Sequence, residues 1–512
     1  MTRVLVVGDI GQPVYHVGDE AMTISTAEYL ADAGMQVILA TRDAEQSKRY
    51  LGARGLSAYE YMPFLLFPWA PAEREITLER LEEFLVGGVM PNLPDFCPSA
   101  QHIRDFVEGI QSVDAVVISG GGNLNSRYGW LLYERAAIAL VAQYAKIPVF
   151  VSGQSIGPVL SPRDEEVLLR MLRSAASVAV RERSSYEWCR EHDLKAFAGV
   201  DDASDYRVHT PEITLDYADA RVEVPELPER YVCVTVHEAS GNEVHELAAL
   251  LDKIYSEYGL AAVFLGHMGD PASEGGRTGD YKAHELVAAS MTSPATVIPI
   301  LHADATVRIH QSAALNITDR YHPAVFSLSA GIPAVALVPD AFTEMRICGV
   351  MGHYGMQNFM TPLHMLGTDI PEKLIASALS LSRGQRQELR ARHEVVTALL
   401  HAWREYLAAS VRGEKQAHMP EGISAAAAIP ALEPSLETIN NAVRELLLKT
   451  SLAEGTEWAL SDRMHSWEAH MRGKFERAED ELQALKRSRM VRAAHRTSRQ
   501  VQAMRHIGSR FR

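Results

Sequence analysis

The 512-residue sequence has only four cysteines, Cys97, Cys189, Cys233 and Cys348, and they lie far apart. No Cys-x-x-Cys pair and no Cys/His spacing typical of zinc occurs, so we expect no metal site and reduced thiols, as in a cytoplasm. No apolar run approaches the roughly 20 residues of a membrane-spanning helix. The start, MTRVLVVGDIG, lacks a small-residue cleavage site, so a secretory signal is not expected.

Positive charge is scarce except at one end of the chain. The net charge is −15, yet residues 486–512 hold nine Lys/Arg and no Asp/Glu, and subtracting these nine charges leaves −24 for the rest. An acidic body argues against a nucleic-acid-binding protein, and Phe511 is the only aromatic residue of the basic tail. We expect this tail to contact the anionic cytoplasmic face of a membrane. The apolar stripe before it, residues 460–485, predicts a helix that packs on the body or on a second copy in a homo-oligomer.

Two stretches of the chain alternate short, continuous apolar runs with helical patterns. Apolar runs without alternation indicate strands buried on both faces, as in a parallel sheet flanked by helices. We therefore predict an α/β protein with two Rossmann-like domains, 1–208 and 229–410, joined by a linker, 209–228. Residues 411–512 are predicted to form a linker and a helical basic tail. Two such domains facing a cleft give a GT-B-like plan, with ligands at the carboxyl ends of the strands.

The local structure of three further segments can also be predicted. The Pro-rich stretch 62–98 is predicted to be irregular, and 371–409 is predicted to be helical. Near the amino terminus, a helix is predicted over 19–33, with Gly34 as its stop signal.

Two motifs in the first half combine glycine with polar residues. Asp19, in Gly-Asp-Glu-Ala, would either cap the helix that it opens or bind a sugar hydroxyl. Gly120, Gly121 and Gly122, followed by Asn123, come directly after a predicted strand. Three consecutive glycines let backbone N–H groups approach a phosphate or carboxylate closely at the positive end of a following helix, although a tight turn is the alternative. Their spacing matches neither a dinucleotide-binding fingerprint nor a Walker A loop.

Two further motifs also follow predicted strands. Gln154 and Ser155 offer neutral donors and acceptors, or simply form a turn before the next helix. Arg181 would hold an anion through its bidentate fork, or pair with Glu182 or with the acids at 201, 202 and 205. For Arg181 considered alone, the ion pair is favoured.

The fifth motif is Asp-Arg-Tyr-His-Pro, residues 319–323, where a buried strand meets a helix. Arg320 and His322 are two apart and would point the same way on an extended strand exit. Pro323 suits the first turn of a helix, and the positive end of that helix disfavours a protonated His322. Asp319 would orient one of these two side chains.

These five motifs, GDEA, GGGNL, GQSIGP, VRERSS and DRYHPAVFSLSAGIP, in this order resemble those of the polysaccharide pyruvyl transferase family over about residues 3–358. The resemblance implies a GT-B-like fold. It also implies transfer of pyruvate from phosphoenolpyruvate, without a cofactor, to a sugar of a polysaccharide or its lipid-linked precursor as a cyclic ketal. By motif position, catalysis and phosphoenolpyruvate binding fall on Arg320, His322 and Arg181. The first loop, GDIGQPVYHVGDEA, is longer than is usual in the family.

The residues themselves support such chemistry. Arg181, Arg320 and the backbone of residues 120–122 would bind the carboxylate and phosphate of phosphoenolpyruvate. His322 would transfer the proton, because imidazole titrates near neutrality whereas arginine stays charged. Asp19, Asn123, Gln154 and Ser155 complete the predicted substrate-binding set. The alternatives are a GT-B glycosyltransferase that uses a nucleotide sugar and a non-catalytic glycan-assembly protein. The expected location is cytoplasmic, at the inner face of the membrane.

Overall fold

A computed structural model describes residues 1–52, 59–209, 215–217, 220–222, 224–237, 239, 241–270, 276–414, 418–422, 427–429 and 432–487. For 215–217, 220–222 and 475–487 only the backbone is described. Residues 488–512, which are most of the basic tail, and part of the predicted linker, 209–228, therefore lie outside the described residues.

The described elements alternate strand and helix along most of the chain. The strands are β1 (Arg3–Ile10), β2 (Tyr15–His16), β3 (Gln36–Thr41), β4 (Glu60–Pro63), β5 (Ala115–Ile118), β6 (Gly121–Leu124), β7 (Val149–Ile156), β8 (Ser177–Val180), β9 (Ala196–Ala198), β10 (Leu215–Tyr217), β11 (Ala220–Val222), β12 (Tyr231–Thr235), β13 (Ala261–Leu265), β14 (Met268–Gly269), β15 (Ala295–Ile298), β16 (Leu315–Thr318), β17 (Ala334–Val338) and β18 (Met360–Pro362). The helices are α1 (Val17–Asp32), α2 (Ala44–Gly52), α3 (Pro71–Gly87), α4 (Ala100–Gln111), α5 (Gly129–Ala145), α6 (Pro162–Ser174), α7 (Arg183–Glu191), α8 (Asn242–Tyr258), α9 (Asp280–Ser290), α10 (Ala303–Ser312), α11 (Tyr321–Ser329), α12 (Ala341–His353), α13 (Asp369–Leu379), α14 (Arg383–Val411) and α15 (Pro434–Arg487).

Two parallel sheets organise these elements. The first has the order β4-β3-β1-β5-β7-β8-β9, with β6 paired to β7, and the second has the order β15-β13-β12-β16-β17-β18. Strands such as β5, β12 and β17 are buried at every position, which explains their uninterrupted apolar sequences. The prediction of two parallel α/β units is confirmed.

The loop after β1 connects the two units directly. Its strand β2 pairs antiparallel with β14 of the second unit, with His16 opposite Met268 and Tyr15 opposite Gly269. One apolar core also crosses the boundary, because Val17 and Met22 of α1 pack with residues of the second sheet. The long first loop is therefore a structural connection between the two halves of the cleft.

The C-terminal helices return to the first unit. The indole Nε1 of Trp403 in α14 donates to Ser152 Oγ (2.8 Å), and Leu407 packs in the core beneath β1. Helix α15 contacts both units: Asn440 Nδ2 donates to the carbonyl of Met360 (2.6 Å), and the amide of Ala72 donates to Ser466 Oγ (3.0 Å). The helix predicted before the basic tail thus packs on the body of its own chain.

One sequence expectation was wrong. The stretch predicted to be irregular contains α3, which begins at Pro71 and buries Arg74 and Glu75, so its buried face carries charges that obscure the apolar period. The helical prediction for 371–409 is confirmed, and the region forms two helices because Ser382 forms a capping box with Gln385 and starts α14 anew.

Candidate active site

The cleft between the two sheets brings together His322 and the Gly-Asp-Glu-Ala motif. His322 lies in the first turn of α11, directly after β16, and its ring packs against Gly18 at the start of α1. A Cβ at position 18 would stand 1.8 Å from His322 Nδ1, so only glycine leaves room for this imidazole. The glycine of the first motif therefore positions the histidine of the fifth.

The imidazole of His322 is largely buried, with 13% of its side chain exposed. Burial lowers its pKa to about 4, the nearby Arg181 and Arg346 guanidiniums lower it too, and the carboxylates Asp201 and Asp19 oppose this. Its Nε2 atom has no hydrogen-bond partner among the described residues and lies 3.8 Å from Asp201 Oδ2. A neutral imidazole with an unoccupied nitrogen is suited to accept a proton from a bound hydroxyl.

The sequence offered Arg181 either an anionic ligand or an ion pair, and in the structure Arg181 forms ion pairs with Asp201 and Glu182. Its Nη1 donates to Asp201 Oδ2 (2.7 Å), and its Nε donates to Glu182 Oε1 (2.9 Å) and Ser155 Oγ (2.8 Å). Burial alone would lower the pKa of Arg181, but Tyr321, Glu182 and Asp201 raise it, so the guanidinium stays charged. Its Nη2 lies 3.4 Å from where a Cβ at Gly122 would stand and so faces the glycine motif.

Arg320 is held within the second unit. Its Nη2 donates to Asp280 Oδ1 (2.5 Å) and to His237 Nδ1 (2.6 Å), while its Nε has no partner among the described residues. Arg320 caps α11 and His322 lies inside that helix, so the two side chains have different partners instead of sharing an extended strand exit. Asp319 accepts hydrogen bonds from the His237 amide (2.8 and 2.9 Å) rather than holding His322.

Arg346, in α12, is a residue that sequence reasoning missed. Its Nη1 lies 2.9 Å from where a Cβ at Gly122 would stand, close to Nη2 of Arg181. Among the described residues no carboxylate lies within ion-pair distance of it; its Nε donates to the carbonyl of Phe342 (3.2 Å), and its Cζ lies 3.8 Å from that ring's centroid. It follows the carboxyl end of β17, the same placement that drew attention to the other motifs.

Glu182 and Asp340 act on Arg346 only from beyond ion-pair distance. Burial and the positive charge of Arg181 lower the pKa of Arg346 to about 10, against the opposing effects of Tyr128, Glu182 and Asp340. A partly buried guanidinium beside a second one is unfavourable unless an anion joins them. Nη1 of Arg346 and Nη2 of Arg181, which both face Gly122, therefore form a candidate anion site in the cleft.

The glycine motif differs from its predicted conformation. Gly121–Leu124 is the short strand β6 rather than a loop at a helix terminus, and α5 begins only at Gly129. The amide of Gly120 donates to Asp202 Oδ2 (2.7 Å), so this N–H group is not available to a bound anion. What the motif provides is space, because Gly122 admits both guanidiniums; anion binding by the backbone of residues 120–122 stays a prediction.

Three neutral side chains predicted for the site lie around this motif. Asn123 Nδ2 donates to Asp9 Oδ2 (3.3 Å), and Ser155 Oγ donates to Glu182, so these two support neighbouring carboxylates. Gln154 is fully buried, donates to the carbonyl of Ser119, and leaves its Oε1 without a partner among the described residues. Their contact with a substrate stays a prediction.

Asp19 is the third residue of α1 and not its cap, since the helix begins at Val17 after His16. Its Oδ2 lies 2.9 Å from His16 Nδ1. Burial would raise the pKa of Asp19, but that hydrogen bond and the positive charge of Arg135 hold it below its usual range. Asp19 is thus a carboxylate beside His322, and sugar binding by it stays a prediction.

The part of the chain that the structure describes contains no group of three or more His, Cys, Asp or Glu side chains arranged to hold a metal ion. None of the described helices is long and apolar enough to cross a membrane.

Two facing parallel sheets with a cleft between them define a GT-B-like protein. Similarity to solved structures supports this fold. The chain is similar to a Listeria monocytogenes protein assigned as a UDP-N-acetylglucosamine 2-epimerase, with 12% identity, 82% of this chain and 99% of that chain covered, and a TM-score of 0.53. It is likewise similar to S. aureus MnaA in complex with UDP, with 11% identity, coverages of 83% and 100%, and a TM-score of 0.51. At such identities the likeness shows the fold alone.

The family follows from the sequence between the first and fifth motifs. The model of the polysaccharide pyruvyl transferase family matches residues 16–340, which is more than half of the chain. The chain belongs to this family and is therefore an enzyme of the pyruvyl transferase class. The chain is also 28% identical over 113 residues to the amylovoran biosynthesis protein AmsJ of Erwinia amylovora. That match covers 22% of this chain and only 26% of AmsJ.

Proposed function

We propose that the enzyme transfers the pyruvyl group of phosphoenolpyruvate to two hydroxyls of one sugar unit in a saccharide. The products are a cyclic pyruvate ketal and inorganic phosphate. The observation that carries this proposal is Arg346 beside Arg181, in the same cleft as the neutral His322. Family membership and the similarity to an amylovoran biosynthesis protein favour this reaction over nucleotide-sugar transfer.

The donor is held by its two anionic groups. One of them lies between Arg346 and Nη2 of Arg181, where Gly122 leaves space. Arg320 binds the other through its Nε, which has no partner among the described residues. Arginine suits this task because it stays charged and binds carboxylate or phosphate through paired N–H groups.

The reaction moves two protons and needs one group that can both accept and return a proton. A first sugar hydroxyl attacks C2 of phosphoenolpyruvate, and its proton passes to His322 Nε2. A proton adds to the methylene carbon, which becomes the methyl group of the ketal. A second hydroxyl then replaces the phosphate on C2, and its proton leaves with that phosphate. Neutral His322 performs the first transfer and returns a proton to carbon without any change in the charge of the arginines.

The test is an assay of phosphate release from phosphoenolpyruvate with a panel of UDP-sugars and lipid-linked saccharides. The expected result is acceptor-dependent phosphate release together with a product that carries an acid-labile pyruvate ketal. Release of UDP from a nucleotide sugar, with phosphoenolpyruvate left intact, would overturn the proposal in favour of glycosyl transfer.

The acceptor class also bears on location. A saccharide that is built on a lipid carrier lies at the cytoplasmic face of a membrane, and the seven arginines of residues 488–512 would bind an anionic surface there. We therefore place the enzyme in the cytoplasm, in reversible contact with that membrane face.

A further inference from the structure

A cavity of about 350 Å³ lies beside the anion site, where three parts of the chain meet. Asn125 and Arg127 from the loop after β6, Phe342 from the start of α12, and Glu454, Gly455 and Trp458 from α15 line it. The volume falls within the range of small-molecule sites. We call it the α15 cavity.

Helix α15 is fixed as the wall of this cavity by close contacts. Ser451 Oγ accepts a hydrogen bond from the amide of Ala341 (2.9 Å), the first residue of α12. A Cβ at Gly455 would lie 2.9 Å from Val159, so glycine allows the helix to approach the loop after β7. The wall is thus held against both halves of the cleft.

The chemistry of the lining favours an uncharged polyhydroxyl ligand. The half-exposed Trp458 (49%) offers an aromatic face, whose negative potential attracts the C–H groups of a sugar ring. Asp340 and Glu454 offer carboxylate oxygens for hydroxyl groups. An anionic ligand is disfavoured, because the charge of Arg127 is already matched by Asp340 (2.6 Å) and Glu454 adds a further negative charge.

The cavity adjoins the site that would hold the donor. Phe342 lines the cavity and also carries the guanidinium of Arg346 on its ring (3.8 Å), and Asn125 Nδ2 donates to the carbonyl of Gly122 (2.8 Å). The α15 cavity and the candidate anion site therefore share Phe342 as a wall.

A row of aromatic side chains leads from the cavity to the surface. Tyr128 meets Phe342 edge-on (5.6 Å), Trp130 meets Tyr128 edge-on (5.8 Å), and Trp69 stacks on Trp130 (4.2 Å, 3° between planes). Trp69 is 74% exposed. The solvent-facing side of Trp69 is open to a further sugar unit of a longer chain.

From these observations we propose that the α15 cavity is the acceptor subsite, that its ligand is an uncharged saccharide, and that Trp458 determines acceptor specificity. The acceptor role of this ligand rests on the proposed function, whereas the saccharide site itself is inferred from the lining of the cavity. Helix α15 lies outside residues 16–340, which the family model matches, so the acceptor would be selected by a part of the chain beyond the shared body.

The test measures sugar binding separately from catalysis. Saturation-transfer NMR of the full chain uses the methyl pyranosides of glucose, galactose, mannose and N-acetylglucosamine as probes. The variants are Trp458→Ala, Glu454→Gln and the control Leu460→Ala, a half-exposed residue (49%) of the same helix that does not line the cavity. We expect at least one pyranoside to bind and Trp458→Ala to weaken it about tenfold, as for loss of an aromatic contact, with Leu460→Ala unchanged.

A second experiment measures steady-state turnover with the acceptor that the phosphate-release assay has identified. Trp458→Ala should raise the KM for that acceptor about tenfold while the KM for phosphoenolpyruvate stays constant. Pyruvyl transfer with an unchanged acceptor KM in both cavity variants would overturn the inference and leave the proposed function standing. Binding that is lost in Trp458→Ala, in a protein that never consumes phosphoenolpyruvate, would uphold a saccharide site and refute the proposed function. Absence of any pyranoside binding and of any effect on acceptor KM would end the inference.

Discussion

The ring of Tyr321, from the second unit, lies against the guanidinium of Arg181, from the first, with 4.1 Å between Cζ and the ring centroid. Both side chains are almost fully buried, so this cation–π contact contributes about 2 kcal/mol. His353 of α12 also reaches across and lies with its Nε2 3.0 Å from the carbonyl of Arg181. The fourth and fifth sequence motifs thus meet only because the two units are closed on each other.

Replacing His322 with alanine should lower turnover by at least about 100-fold, the lower range for loss of a general acid or base. The fold should persist, because the substitution only removes a ring from the cleft side of α11, next to Gly18. Steady-state phosphate release and far-UV circular dichroism check both statements. Near-parental turnover in His322→Ala would remove this residue from the chemistry.

The pH profile gives a second view of the same group. A free imidazole is mostly protonated below its ordinary pKa of about 6.5 and then cannot act as a base. Burial lowers the pKa of His322 to about 4, so this side chain remains a base down to a lower pH. The acid limb of kcat/KM due to His322 should therefore lie near pH 4. Because the unfolded chain protonates this residue at a higher pH than the folded one, stability falls as pH drops from 6.5 toward 4. Rates are thus compared only where circular dichroism shows folded protein.

Arg346→Gln should weaken phosphoenolpyruvate binding by at least about tenfold, since a hydrogen bond to a charged group contributes ~1.5–3 kcal/mol. The matched control is Arg183→Gln, because the Arg183 side chain is 75% exposed and pairs only with Glu187 in its own helix among the described residues. Isothermal calorimetry measures both affinities. Equal binding by Arg346→Gln and the parent would refute the anion site, and Arg346→Lys should restore binding only in part.

Arg181 should matter for stability as well as for binding. Arg181→Met leaves Glu182 and Asp201 buried without their cation, and breaking a buried pair in this way costs ~3–5 kcal/mol. Urea unfolding should show this loss, and Arg183→Met, at an exposed position, should change the free energy of unfolding by less than ~0.5 kcal/mol. A loss below ~1 kcal/mol in Arg181→Met would mean that these carboxylates do not depend on Arg181.

The sequence predicted the fold well because burial on both faces leaves continuous apolar runs, as in β1 (RVLVVGDI) and β3 (QVILAT). It also identified where Arg181 and His322 lie, since both follow strands that end at the cleft. It missed Arg346 and the α15 cavity for a physical reason. Both depend on contacts between distant segments, such as Arg346 with Gly122 and Ser451 with Ala341, which no local pattern records.

Removal of residues 488–512 should abolish binding to anionic vesicles while activity on a soluble acceptor is retained. Each of the seven arginines contributes ~1 kcal/mol near such a surface, and salt screens the attraction. Sedimentation with phosphatidylglycerol vesicles, at low and high salt, measures this, with phosphatidylcholine vesicles as the uncharged control. Equal sedimentation of full-length and truncated chains would end the membrane hypothesis and leave self-association, measured by light scattering, as the role of the tail.

A disulfide across the β2–β14 pair should lock the two units together and stop turnover. His16 and Met268 are directly opposite each other, and opposed Cα atoms in an antiparallel pair are about 4.5–5.5 Å apart, within the ~4.4–6.8 Å that a disulfide spans. In the double variant His16→Cys/Met268→Cys, oxidation should reduce phosphate release to the background rate, because substrates enter when the units separate, and dithiothreitol should restore it. The single variants are the controls, since His16 also hydrogen-bonds Asp19 and the chain has four cysteines of its own. Full turnover of the cross-linked protein would show that both substrates reach His322 without opening of the cleft, and failure of the disulfide to form would contradict the pairing itself.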